Sequence, residues 1–142
     1  MCAWKSRQLQ HPAKGIGLLN APIRVQTFLS NVPLFRELVS EELDRIALST
    51  QQVHAQKGEI LFRRGDPAAG FHIVVFGQVK LAFSSLRGDE KVVDLIGPGE
   101  SFGEAVMFME RPHVVMAQAL CDSLLLYIPR ETVFREIGRA HV

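Results

Sequence analysis

The sequence predicts a mainly β domain with flanking helices, folded as a β-sandwich or barrel-like roll. Three observations carry this. Apolar residues before Gln52 recur at helical spacing, and after it at strand spacing. From there to Ile128 about eight short runs rich in β-branched and aromatic residues follow one another, separated by Gly, Pro and Asp turn signals. After Pro129 the segment Arg130–Glu136 opens a helix again.

The totals agree with a single globular unit. A chain of 142 residues, 47% hydrophobic and 22% charged, is long enough to bury roughly two-thirds of its unfolded surface. A formal net charge of +1 advertises neither a nucleic-acid nor an acidic-membrane partner. No apolar run approaches the roughly eighteen residues of a membrane span, and the first twenty residues lack the apolar stretch of a signal peptide. Cys2 and Cys121 cannot supply the four thiolates of an iron–sulfur cluster within one chain, and there is no CxxC pair for zinc. A reducing, cytoplasmic location fits that usage.

Taken in order, residues 1–22 mix Gln, Gly, Pro and basic residues without a period and read as a flexible arm. Val25, Phe28, Leu29 and Val32 then fall at helical spacing until Pro33 interrupts them. Ser40 reads as an N-cap, with Glu41 and Glu42 at the positive end of a helix whose apolar face is Leu43, Ile46 and Ala47. Strands follow around Val53–Ala55 and Ile60–Phe62, with Arg63–Pro67 as a turn. Phe71–Phe76 reads as a buried strand that Gly77 breaks. Val79, Leu81 and Phe83 alternate with period two, Arg87-Gly88-Asp89 turns the chain, and Lys91–Ile96 returns. Ala105–Met109 reads as one helical turn whose methionines fill core. Val114–Leu120 and Ser123–Ile128 are the last two strands.

The candidate site is Gly97-Pro98-Gly99-Glu100-Ser101-Phe102-Gly103-Glu104-Ala105. Gly97-Pro98-Gly99 is a tight turn, since Pro presets φ and Gly accepts positive φ. Phe102, Gly103 and Glu104 then set an apolar anchor, a residue without a Cβ and a carboxylate in succession. Such a backbone lets a ligand approach and turns N–H groups toward an anion, and a carboxylate beside it suits a sugar hydroxyl. The same residues serve equally as the end of a surface hairpin whose Glu104 is solvated or pairs with Arg111.

The words Phe76-Gly77-Gln78-Val79-Lys80, Phe102-Gly103-Glu104-Ala105 and Arg111 through Leu120 resemble the sensor domain of the CRP/FNR transcription regulators, closest to the denitrification-regulator branch. The likeness runs from about Phe28 to Glu136. It implies a cyclic-nucleotide-binding-like β-roll, a double-stranded β-helix or jelly roll, over residues 23–136. It also implies a long helix that forms a homodimer and, beyond it, a helix-turn-helix; this chain contains no helix-turn-helix, so DNA would be reached only through a further domain. Residues 137–142, Ile-Gly-Arg-Ala-His-Val, look like a non-native tail appended where that helix breaks off.

The resemblance places ligand contacts at Phe102, Gly103, Glu104, Ala105, Arg111 and Pro112. In cyclic-AMP-binding members the arginine is followed by Ser or Thr, which holds the cyclic phosphate. Here Pro112 stands in that place and offers neither hydroxyl nor N–H. One such charge-assisted bond is worth about 1.5–3 kcal/mol, roughly ten- to more than a hundredfold in affinity. Two readings follow. The first is a ligand-dependent allosteric sensor of a small molecule or gas, in which a haem would draw its axial ligand from His113 first, or from His54, His72, His141, Met107, Met109 or Met116. The second is a cyclic-nucleotide-binding regulatory module. An enzyme is not expected, since no nucleophile–base pair or metal-ligand spacing is present.

Overall fold

The computed structural model describes residues 22–138. The arm expected over residues 1–22 therefore lies outside the described residues save Pro22, and so do residues 139–142 of the expected tail.

Helix α1 spans Pro22–Ser30 and is followed by a 3-10 turn, Pro33–Phe35, with proline at its first position where no N–H is needed. Helix α2 spans Ser40–Ser49. Its N-cap is Val39, not Ser40 as the sequence suggests: the Val39 N–H donates to Glu42 Oε1 at 2.9 Å, half of a capping box. Ser40 is instead tied to α1, where Gln26 Nε2 donates to its carbonyl at 3.1 Å and to its hydroxyl at 3.2 Å.

Eight strands follow: β1 Gln51–Ala55, β2 Ile60–Phe62, β3 Gly70–Phe76, β4 Val79–Ser84, β5 Glu90–Ile96, β6 Ser101–Phe102, β7 Met116–Ala119 and β8 Ser123–Pro129. A short helix α3, Glu104–Phe108, separates β6 from β7, and α4, Arg130–Val133, continues into a π-helical turn, Phe134–Gly138. The strands form two four-stranded antiparallel sheets, one in the order β1-β8-β3-β6 and the other β2-β7-β4-β5. Apart from the β4–β5 hairpin, successive strands alternate between the sheets, and together they make the predicted jelly-roll β-roll.

The centre of the first sheet, β3 and β8, is buried on both faces. Phe71, Ile73, Leu124, Leu126 and Ile128 point to the helices and join Leu29, Phe35, Ile46 and Met107 in one core. Val74 and Leu125 point the other way, into a second core between the sheets with Phe62, Val79, Phe102 and Ala117. Each such side chain contributes about 1.5–3 kcal/mol by leaving water. Double burial is why β3 and β8 read as unbroken apolar runs rather than alternating ones. The second sheet is half solvated, and its edge strand β5 exposes Val92, Val93 and Leu95. Opposite Leu81 and Ala82, β5 uses Asp94 and Val92, so Val93 is the extra residue of a bulge.

Val114 and Val115, expected in the seventh strand, lie outside it; pairing with β4 begins at Met116. Gly77 has φ +102°, and a Cβ there would overlap Ser123 outright, down to 2.7 Å from its Cα. Ser123 is buried at that crossing, donating to the Cys121 carbonyl at 2.8 Å and accepting from the Gln78 N–H at 3.2 Å.

At the C-terminal end Ile137, the first residue of the expected tail, packs in the helix-side core beside Val133. Glu136 is buried and accepts from Arg45 Nε of α2 at 3.0 Å and from Arg135 at 3.3 Å. The Arg45 hydrogen bond holds its carboxyl below the usual carboxylate range. Replacing Arg45 with Met is expected to leave Glu136 buried without its partner on α2 and to lower thermal stability. A melting temperature equal to that of the parent chain would show the tie to be idle.

Candidate functional site

The site is assembled where β6 runs into α3. Gly97–Glu100 is a turn with Pro98 and Gly99 (φ +84°) at its centre; Glu100 N–H donates to the Gly97 carbonyl at 3.1 Å. Glu100 Oε1 in turn accepts from the Gly97 N–H at 2.7 Å. The turn is pinned to β3, since Gly99 N–H donates to the Val74 carbonyl at 2.7 Å and Val74 N–H to the Glu100 carbonyl at 2.9 Å. That fixes Ser101 and Phe102 against His72 and Ile73 in the sheet.

Gly103 then adopts φ +91° and ψ −1° at the N-cap of α3. Nothing lies closer than 3.6 Å to where its Cβ would be, so glycine is required here by backbone conformation and not by crowding. Glu104 follows, half-buried, and accepts a hydrogen bond from Ser101 Oγ. Of the two local alternatives raised by the sequence, the pairing with Arg111 is not formed; Glu104 keeps part of its surface in solvent and its side-chain partner is Ser101. Its signal, a hydroxyl three residues before the carboxylate, was available in the sequence.

Phe102, Gly103, Glu104 and Ala105 line a cavity of about 280 Å³. Asp94, Ser101 and His113 complete its polar lining, and Phe62 and Val106 are among its apolar walls. His113 is 6% exposed and stacks on Phe62, with ring centroids 3.5 Å apart and planes 7° off parallel. Burial lowers its pKa against the opposing pull of Asp66, which favours the uncharged imidazole at neutral pH.

Arg111 and Pro112 are not in that cavity. They line a second depression of about 210 Å³ with Glu110 and Arg130. The reason is the end of α3. Glu110 has φ +53°; its N–H donates to the Met107 carbonyl at 3.1 Å, and the Arg111 N–H donates to Val106 at 3.0 Å. This is a Schellman closure with a left-handed residue that is not glycine, so the sequence gives no warning of it. The chain leaves the helix there in a direction that carries Arg111 off the cavity, and only at His113 does it return. The structure thus brings Phe102 through Ala105 together with His113 and separates them from Arg111 and Pro112, which the resemblance grouped with them.

His72 lies in the core between the sheets. Its ring stacks on Phe102 at 5.1 Å and meets Tyr127 at 5.0 Å. Its Nδ1 is buried without a hydrogen-bond partner. Burial, with a smaller push from His113, brings its pKa down to about 4. Among the described residues no three His, Cys, Asp or Glu side chains gather as a metal site. A haem does not fit the cavity beside His113, because about 280 Å³ is below even the ~300–1,000 Å³ typical of drug-sized ligands.

Two antiparallel sheets enclosing a cup whose floor is a left-handed glycine followed by a hydroxyl-bound glutamate define a small-molecule-binding β-roll. The chain belongs to the cyclic nucleotide-binding domain family, which it matches over residues 52–140. It is 35% identical over 107 residues to the cyclic AMP receptor protein of Thermus thermophilus, covering 75% of this chain and 50% of that protein. It superposes on the sensor domain of the transcriptional regulator DNR from Pseudomonas aeruginosa with a TM-score of 0.75 and 32% identity, over 80% of this chain and 76% of that one. The regulatory domain of Toxoplasma gondii PKA, crystallised with cAMP, gives a TM-score of 0.78 at 24% identity over 84% and 45% of the two chains, a likeness of fold alone. The chain spans about half the length of the Thermus relative. Among the described residues no helix is long and apolar enough to cross a membrane.

Proposed function

We propose that the domain is the effector-sensing part of a CRP/FNR-type transcription regulator, and that its effector is not a cyclic nucleotide gripped through Arg111. In this reading it works in the cytoplasm, catalyses nothing, and passes the state of its cup through a dimerising helix to a DNA-reading domain. Its likeness to the DNR sensor domain over four-fifths of the chain supports the sensor role. The observation that carries the ligand argument is the charge of the cup. Asp94 and Glu104 line it, and no Lys or Arg does.

A cyclic phosphate placed there would meet two carboxylates and lack both the arginine and the hydroxyl that hold it in cyclic-AMP-binding relatives. Two charge-assisted bonds lost correspond to about 3–6 kcal/mol, roughly a hundred- to ten-thousandfold in affinity. Calorimetric titration of the full chain with cyclic AMP is therefore expected to show no saturation in the micromolar range. Saturable micromolar binding that disappears in both Glu104→Ala and Arg111→Ala would establish the alternative, a cyclic-nucleotide-binding regulatory module.

A further inference from the structure

A second cavity, of about 310 Å³, lies on the other side of the Phe62–His113 stack, which forms a wall of both. Its lining includes the rings of Phe62, His72, His113 and Tyr127. One charged residue, Asp66, completes the set, and no Lys or Arg is in the lining. The Asp66 carboxylate accepts from the Arg63 backbone N–H at 2.9 Å, and among the described residues no Lys or Arg side chain pairs with it. His72 lines the cavity as well; its Nδ1 is sealed off without a hydrogen-bond partner, so the ring nitrogen open to the cavity is Nε2.

We propose that this cavity binds a small organic ammonium ion, with its N–H groups directed to Asp66 and the His72 ring and its carbon skeleton packed on Phe62 and Tyr127. The carboxylate has lone pairs to spare and no cation. The faces of Phe62 and Tyr127 attract positive charge through their quadrupoles. His72 and His113, both with pKa values lowered by burial, are uncharged at neutral pH and do not repel a cation. A neutral imidazole offers one acceptor nitrogen, which suits an ammonium donor. An anion would find no positive partner in this lining, and a purely apolar ligand would leave the spare lone pairs of Asp66 unused. The volume suits a ligand of one ring or a short chain.

The test uses phenethylammonium and its charge-reversed counterpart 3-phenylpropionate, each titrated calorimetrically into the full chain, with the His72 ring followed by NMR. The expected result is saturable binding of phenethylammonium with shifts of the His72 ring resonances, and 3-phenylpropionate at least about tenfold weaker. Asp66→Asn keeps an oxygen for the Arg63 N–H, so the turn survives, and it is expected to weaken phenethylammonium by about tenfold or more. His72→Phe should weaken it as well, with near-UV circular dichroism confirming the fold. The proposal is overturned by no binding, by equal binding of the two probes, by an unchanged affinity in Asp66→Asn, or by binding that leaves the His72 ring unshifted. The last result would place the cation in the first cavity, beside Asp94 and Glu104.

Discussion

Gly77→Ala is expected to cost roughly 2–5 kcal/mol and to lower the midpoint of thermal unfolding by on the order of 10 °C. Two penalties add. An L-residue at φ +102° carries backbone strain of about 1–2 kcal/mol. The new methyl would also have to displace Ser123, whose own Cα would stand 2.7 Å away. Overpacking of that kind costs about 1–3 kcal/mol, and here it meets backbone that cannot rotate aside. Ser123 itself is committed, bonding Cys121 on one side and Gln78 on the other. Circular dichroism melts of the parent and the variant measure the difference. A midpoint within about 2 °C of the parent would show that β3, β4 and β8 do not cross as described. Ser123→Gly in the same chain removes the Oγ and Cβ overlaps and should restore part of the loss, leaving the backbone strain behind.

The second large effect is acid lability above the usual carboxylate range. His72 has a pKa near 4 when folded, against about 6.5 when unfolded. Above pH 6.5 neither state binds the proton and His72 contributes no pH dependence. Between about 6.5 and 4 the unfolded state takes up a proton that the folded state refuses, so stability falls as the pH falls. Below 4 both states are protonated and the contribution is constant. The full shift corresponds to about 3 kcal/mol. His113, also lowered by burial, acts in the same direction. Glu136, whose folded pKa is depressed by Arg45, adds its own loss as the pH drops below the unfolded carboxyl value. Urea titrations at pH 7, 6, 5 and 4 read the slope directly. His72→Phe should flatten it between 6.5 and 4; an unchanged slope in that variant would mean that the ring titrates normally in the folded state.

Much of the architecture is legible in the chain because each element obeys its own period. The switch at Gln52, the breaks at Gly77 and Gly97–Gly99, and the helix from Arg130 follow from propensity and turn chemistry, and the structure places strand ends within a residue or two of them. The seventh strand is the exception. Val114 and Val115 look like strand residues but serve as cavity wall, because the loop from the end of α3 needs their length to climb back to the second sheet. The floor of the cup was equally legible, since Gly103 and Glu104 occur as one short word. What could not be read was the direction in which Arg111 leaves. That depends on a left-handed turn at Glu110, a residue type that gives no hint of it. Nor could sequence reveal that His72 and Asp66, six residues apart, face one cavity with His113 and Tyr127, since that neighbourhood arises only when three strands and a turn converge.

The bulge at Val93 has a consequence for how the molecule behaves at high concentration. A straight outer strand bearing Val92, Val93 and Leu95 in the open would offer a ready template for stacking one molecule on another, the first step toward fibrils. The extra residue twists that border and breaks its rhythm of free N–H and C=O groups, while Lys91 and Asp94 set charges along it. Solubility of this half-wet sheet thus rests on that irregularity and the charges beside it, and excising one valine would leave the charges alone to guard a straighter margin.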